Sequence, residues 1–192
     1  LKEKYNFSNK YLFFPAQIWP HKNHITILKA LKKIERETGI QICLVLTGAI
    51  YEKSEPIFEF IRLNNMDYVH YLGLVSFNDL ICLYQNAEYM ITGVLYESSS
   101  LPILEAAASG TPVIASRTPP NIEMSENLKI NMFDPLNTND LSELLLRIWD
   151  NQELRKEQVD YNNINIKKYS WDTVALKYIK TFETIKLSTK LC

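Results

Sequence analysis

The sequence predicts an α/β protein built on a doubly wound parallel sheet, with helices on both faces and a C-terminal helical tail. Three observations carry this. Short apolar runs at residues 11–14, 40–46, 68–72, 89–92 and 112–115 read as strands buried on both sides. Between them lie stretches with apolar residues at helical spacing, such as Ile27, Leu28, Leu31 and Ile34. The 192 residues, 46 % hydrophobic and 22 % charged, have an ordinary globular composition and enough length for one sizeable core.

Each element has its own punctuation. Pro15 and Pro20 stop the first strand, and a helix over 24–38 ends at Gly39. The second strand, 40–46, closes at Thr47 and Gly48; a helix follows over 55–65, then a strand over 68–72 ending at Gly73. Ser76 and Asp79 form a capping box with Asp in place of Glu and open a helix to about residue 87. After the strand at 89–92, Pro102 suits the first turn of a helix that stops at Gly110. Beyond the strand at 112–115 the pattern loosens through Pro119 and Pro120, with a last strand over 129–133 and helices over 139–149, 153–168 and 171–186. Trp149 and Trp171 read as packing residues, and His70 as a buried strand histidine. No internal repeat or low-complexity tract interrupts the chain.

Composition excludes several functions. A net charge of −1 argues against a domain that grips nucleic acid by neutralising phosphates. The five glycines are never closer than nine positions, so neither a dinucleotide fingerprint nor a P-loop is present. The odd set Cys43, Cys82 and Cys192 reads as reduced thiols of a cytoplasmic protein, and His21 with His24 lacks the companions of a metal site. No apolar run approaches the roughly 20 residues of a transmembrane helix. The polar opening, residues 1–10, reads as a linker from a preceding domain, and the chain as a piece of something longer.

In an open parallel sheet, ligands bind beyond the carboxyl ends of the strands. There the segment from Gly93 to Pro102 is the most informative. It contains Glu97, three serines and Pro102, followed by Glu105 one turn into a helix. The amides of Ser99, Ser100 and Leu101 would be open donors at a positive dipole end, with a carboxylate on either side. A diphosphate there, with carboxylates accepting from ribose and sugar hydroxyls, suits a nucleotide sugar. Serine-rich loops also cap helices, and glutamate near a helix start is favourable by the dipole alone; spacing does not separate the readings. Lys22, after the first strand, can act as a point charge on phosphate, or stand as a solvated lysine in a turn.

Together these segments resemble the carboxyl-terminal, donor-binding domain of a family 4 (group 1) retaining glycosyltransferase, a Rossmann-like half of a GT-B fold. The resemblance spans residues 11–184. It rests on Glu97 and Glu105 with seven residues between them, on Leu101-Pro102, on Glu105-Ala106 and on Gly110-Thr-Pro-Val113. The Phe14 to His24 run, Phe133-Asp-Pro135 and Tyr169-Ser-Trp171 also fit, the first resembling a branch active in polysaccharide and O-antigen assembly.

The resemblance implies transfer of a sugar from a UDP- or GDP-linked donor to a glycan or lipid-linked acceptor, with retention and without a metal or other cofactor. It implies Glu97 at the transferred sugar as the catalytic carboxylate, Glu105 on the ribose, and Lys22 on the diphosphate. The amides near Ser99, Ser100 and Leu101 would receive the distal phosphate, and Gly48 and Val75 would lie at the base. Glu123 is a further donor-site candidate. Two departures stand out: Gln17 occupies a position where many relatives carry Arg, and Ser98–Ser99–Ser100 replace Gly-Phe-Gly, where a backbone needing φ > 0 would be strained.

On this reading residues 1–10 link to an N-terminal acceptor domain, 11–170 form the nucleotide-sugar-binding domain, and 171–192 form a crossover helix and tail. The isolated half is expected to be inactive, and the protein cytoplasmic, at the inner face of the membrane if peripheral. A non-catalytic nucleotide- or diphosphate-binding module and a nucleotide-sugar 2-epimerase are the alternatives on the same architecture.

Overall fold

A computed structural model of the protein describes residues 2–5, 7 and 10–188. Six strands, β1 (Tyr11–Pro15), β2 (Cys43–Thr47), β3 (Val69–Tyr71), β4 (Tyr89–Thr92), β5 (Val113–Ser116) and β6 (Asn131–Phe133), form one sheet. Every pairing is parallel and the order is β3-β2-β1-β4-β5-β6. That order reverses between β1 and β4, the topological switch point at which doubly wound sheets open a crevice for ligands.

The strands are buried on both faces because their residues alternate between two cores. Leu12, Phe14, Leu44, Leu46, Ile91 and Ile114 join one cluster with Ile27, Leu31 and Ile34 of α2 (His24–Thr38) and Leu141 and Leu145 of α7 (Thr138–Ile148). Tyr11, Phe13, Cys43, Val45, Met90, Val113 and Ala115 join the other, with Leu83 of α4 (Phe77–Asn86) and Ile103 and Ala106 of α5 (Leu101–Ala108). Leu12 and Phe13 are both fully buried, and truncating either to Ala costs about 2–5 kcal/mol.

The remaining helices are α1 (Lys2–Tyr5), α3 (Glu55–Leu63), α6 (Pro119–Ser125), α8 (Gln152–Asn165) and α9 (Trp171–Ser188). Helix α8 is polar yet firmly seated. Its buried Gln158 donates to the carbonyls of Val113 and Lys129 at 2.9 and 2.7 Å, and Asn162 exchanges bonds with the Lys129 backbone. These amides satisfy backbone groups beside β6 that would otherwise be costly to bury.

Several sequence expectations change. The second strand starts at Cys43, not residue 40, and Ile40 is exposed. The stretch at Pro119–Pro120 is the start of α6, with the prolines in its first turn, where no amide is needed. In the opening segment read as a linker, Lys2–Tyr5 form a helical turn, Tyr5 donates to Asp79 at 2.9 Å, and Phe7 packs edge-on to Tyr11; residues 1, 6, 8 and 9 lie outside the described residues. Trp149 is buried, but Trp171, read as packing, is 85 % exposed at the start of α9. His70 is half-buried beside the Phe7 ring. Cys43 and Cys82 form no disulfide, and Cys192 lies outside the described residues. No helix among the described residues is long and apolar enough to cross a membrane.

Candidate functional site

Apart from Glu123, the predicted site residues lie at the carboxyl ends of the strands, with Lys22 and Glu97 at the switch point. After β1, a short 3-10 turn (Pro20–Lys22) carries Lys22, and after β4 the chain runs through Glu97 to α5. The Lys22 ammonium donates to Glu97 Oε2 at 3.0 Å, with only 20 % and 11 % of the two side chains exposed. Two residues 75 apart in sequence thus form an ion pair across the point where the strand order reverses. The second oxygen of Glu97, Oε1, is buried and has no hydrogen-bond partner among the described residues.

Helix α5 begins at Leu101, with Pro102 in its first turn. The capping reading of the serines is not realised, because Ser100 makes no side-chain cap bond and its buried hydroxyl has no partner among the described residues. The amides of Ser99, Ser100 and Leu101 meet no acceptor among the described residues. Donors and a positive dipole end are left open beside Glu97. The strain foreseen for the triple serine is also absent: only Asn23 and Asn65 among described non-glycine residues have positive φ.

Gln17, Gly48, Val75 and Glu105 line one cavity of about 220 Å³, together with Pro15, Thr47 and Leu80. Gly48 is required there. Its φ is +125°, and a Cβ would stand 2.4 Å from the Ala16 carbonyl oxygen. Its own carbonyl accepts from the Tyr71 hydroxyl at 2.7 Å, which seats the loop against β3. Glu105 accepts from the buried Tyr84 hydroxyl at 2.6 Å. Burial, reinforced by that carboxylate, pushes the Tyr84 pKa far up, so the phenol remains a donor. Gln17 is exposed and contributes no charge.

Glu123 does not share this cavity. It lines a separate one of about 510 Å³ with Ser98, Ser99, Lys168 and Lys177, between the loop before α5 and helices α6 and α9. His24 is buried to 1 % exposure, and its ring stacks on Phe14 with 4.3 Å between centroids. Burial, aided by the nearby Lys22 charge, lowers its pKa to about 3. Among the described residues no three His, Cys, Asp or Glu side chains come together as a metal set.

Two contributors escape a reading of the sequence. Tyr84 lies on α4, 21 residues before the carboxylate it holds, and nothing local marks it. Asn23 has φ 58° and sends its side chain to two other loops. Its one local signal is an Asn at a helix start, a residue type that tolerates the left-handed region.

The family pattern described as "Glycosyl transferases group 1" matches residues 2–164. The chain belongs to the group 1 glycosyltransferases. Among relatives of this group, it is 29 % identical over 165 residues to the MMP alpha-(1->4)-mannosyltransferase of Mycolicibacterium hassiacum, covering 84 % of this chain and 39 % of that protein. It is 24 % identical over 176 residues to the O-antigen chain mannosyltransferase B of Escherichia coli, covering 91 % and 46 %. Its fold matches Anabaena HepE, solved in complex with UDP and glucose, with a TM-score of 0.78 at 16 % identity over 95 % of this chain and 51 % of that one. This group 1 chain therefore spans about half the length, or less, of these relatives, and its sheet is one Rossmann-like half of a GT-B glycosyltransferase fold.

Proposed function

We propose that this chain is the donor-binding half of a retaining glycosyltransferase that moves a hexosyl group from a UDP- or GDP-linked donor to a glycan or lipid-linked acceptor. The observation that carries the reading is the Lys22–Glu97 pair at 3.0 Å beside the open amides of α5. A diphosphate at this helix start meets the Lys22 ammonium and the dipole end, which together offset the charge that grows on the leaving group. Glu97 then faces the anomeric carbon side of the sugar, and its Oε1 has no hydrogen-bond partner among the described residues. Glu105, steadied by Tyr84, accepts from the ribose hydroxyls, while Gly48 and Val75 border the base.

In this reading no metal ion is required, since a cation and a helix terminus already face the phosphates. Retention follows a front-face course in which the departing phosphate assists deprotonation of the acceptor. The 220 Å³ cavity is smaller than the roughly 300–1,000 Å³ of a complete ligand pocket, which suits one wall of a cleft closed by an N-terminal acceptor domain. The relative named as an O-antigen chain mannosyltransferase supports a role in surface polysaccharide synthesis.

Calorimetric titration of the full-length protein with UDP, GDP and ADP, with and without magnesium, tests this. Selective binding of one nucleotide, indifferent to magnesium and weakened by Lys22→Ala, is expected, along with transfer that Glu97→Ala abolishes. No binding of any of the three, or transfer that survives Glu97→Ala, would overturn it.

A further inference from the structure

We infer that Asn23 is a positioning residue that fixes the Lys22 ammonium in the donor site; the inference rests on the reading of Lys22 as the diphosphate cation. Asn23 joins the 3-10 turn to α2, with φ 58° and ψ 40° and 6 % exposure. Asn is common at helix starts because its side chain bonds the helix's own amides. Here it makes no such bond. Its Nδ2 instead donates to the Gly93 carbonyl at 3.0 Å, just after β4, and to the Pro135 carbonyl at 2.9 Å, just after β6. Its Oδ1 accepts from the Thr26 hydroxyl at 2.8 Å, which sets which way the amide faces.

These bonds belong to a clasp between two loops. The Leu95 amide donates to the His21 carbonyl at 2.8 Å, one residue before Lys22, and Asn23 holds Gly93 one residue after it. The Lys22 stem therefore springs from between two anchored residues, and its ammonium lands on Glu97 in the same opposing loop. Gly93 is part of the fit: a Cβ there would lie 3.3 Å from the Asn23 carbonyl oxygen and 3.1 Å from Ile27 Cδ1. A lysine stem is flexible, and fixing its root is what makes its charge arrive at one place. A misplacement of about 1 Å in such a group can cost on the order of 100-fold in rate.

The amide is the chemical requirement. It supplies two donors to two carbonyls and one acceptor to a hydroxyl; Asp would set a carboxylate oxygen against a carbonyl oxygen, and Gly would keep the left-handed backbone while removing every side-chain bond.

The test is a double-mutant cycle in the full-length protein, titrated with whichever of UDP and GDP binds the wild type. Asn23→Gly is expected to weaken binding about 10-fold in the wild-type background and less than about twofold in the Lys22→Ala background, because it acts through a side chain no longer there. Thr26→Val, a milder change remote from the phosphate, is expected to give a smaller loss that likewise disappears in the Lys22→Ala background, and it stands in should Asn23→Gly fail to melt cooperatively. Equal losses in both backgrounds would overturn the inference by making Asn23 a support of the fold alone. A Lys22→Ala variant that binds as the wild type does would instead overturn the reading of Lys22 itself.

Discussion

In the structure Glu97 holds Lys22, the cation proposed to meet the donor diphosphate. Glu97→Gln therefore has a counter-intuitive expected outcome, tighter binding of the bare nucleoside diphosphate together with loss of transfer. A hydrogen bond between charged groups contributes about 1.5–3 kcal/mol net. The geometry here, 3.0 Å with both side chains mostly shielded, belongs in that range. Donor binding must weaken this bond or share the ammonium. A glutamine oxygen can still accept from Lys22, but a neutral acceptor makes a bond roughly half as strong. The variant thus returns about 0.75–1.5 kcal/mol to phosphate binding, which is about 3.5- to 13-fold in Kd. Calorimetry of wild type and Glu97→Gln with UDP and GDP reads this directly. Affinity that is unchanged or weaker in the variant would refute the argument, because Glu97 would not then compete with phosphate for Lys22.

Three other outcomes follow from the same geometry. Glu105→Ala should weaken nucleoside diphosphate binding about 10-fold through lost ribose contacts while leaving pyrophosphate binding unchanged, as parallel titrations would show. Gly48→Ala combines positive φ with a 2.4 Å approach to the Ala16 carbonyl oxygen, and should cost about 3 kcal/mol and lower Tm by about 6–12 °C in a thermal melt. His24 binds a proton near pH 6.5 in the unfolded chain but resists it until about pH 3 in the fold, so the unfolded state holds more protons between those values. Its contribution to stability is present above pH 6.5 and is lost at up to about 1.4 kcal/mol per pH unit on acidification below it. Denaturant unfolding from pH 7 to 4 should show this slope, and His24→Phe should flatten it.

The parts of the fold that can be read from sequence are those set by local pattern. Five strand runs, the Gly39 and Gly110 stops and the Ser76 cap bonding the Asp79 amide are all short-range features. Lys22, Glu97 and Glu105 could be singled out for the same reason, since each lies beside a strand end or a proline-marked helix start. What escapes is set by partners far along the chain. Asn23 answers to carbonyls 70 and 112 residues away. The order of the strands, which brings the Lys22 and Glu97 loops together, depends on β1 choosing β4 as its second neighbour. Helix α6 escapes because paired prolines read as a breaker unless one knows that a first turn lies there. Trp171 shows the converse: helical spacing of apolar residues announces a face without naming what meets it.

The reversal between β1 and β4 also orders events during synthesis and folding. A nascent chain that has emerged only through β3 can pair β1, β2 and β3, yet it holds Lys22 with no Glu97 to meet. The pair forms only when β4 docks on the far side of β1 and closes a loop of 75 residues, a step whose entropic cost precedes its reward. The candidate site is thus assembled at the seam between two half-sheets, and its appearance marks the moment at which they become one.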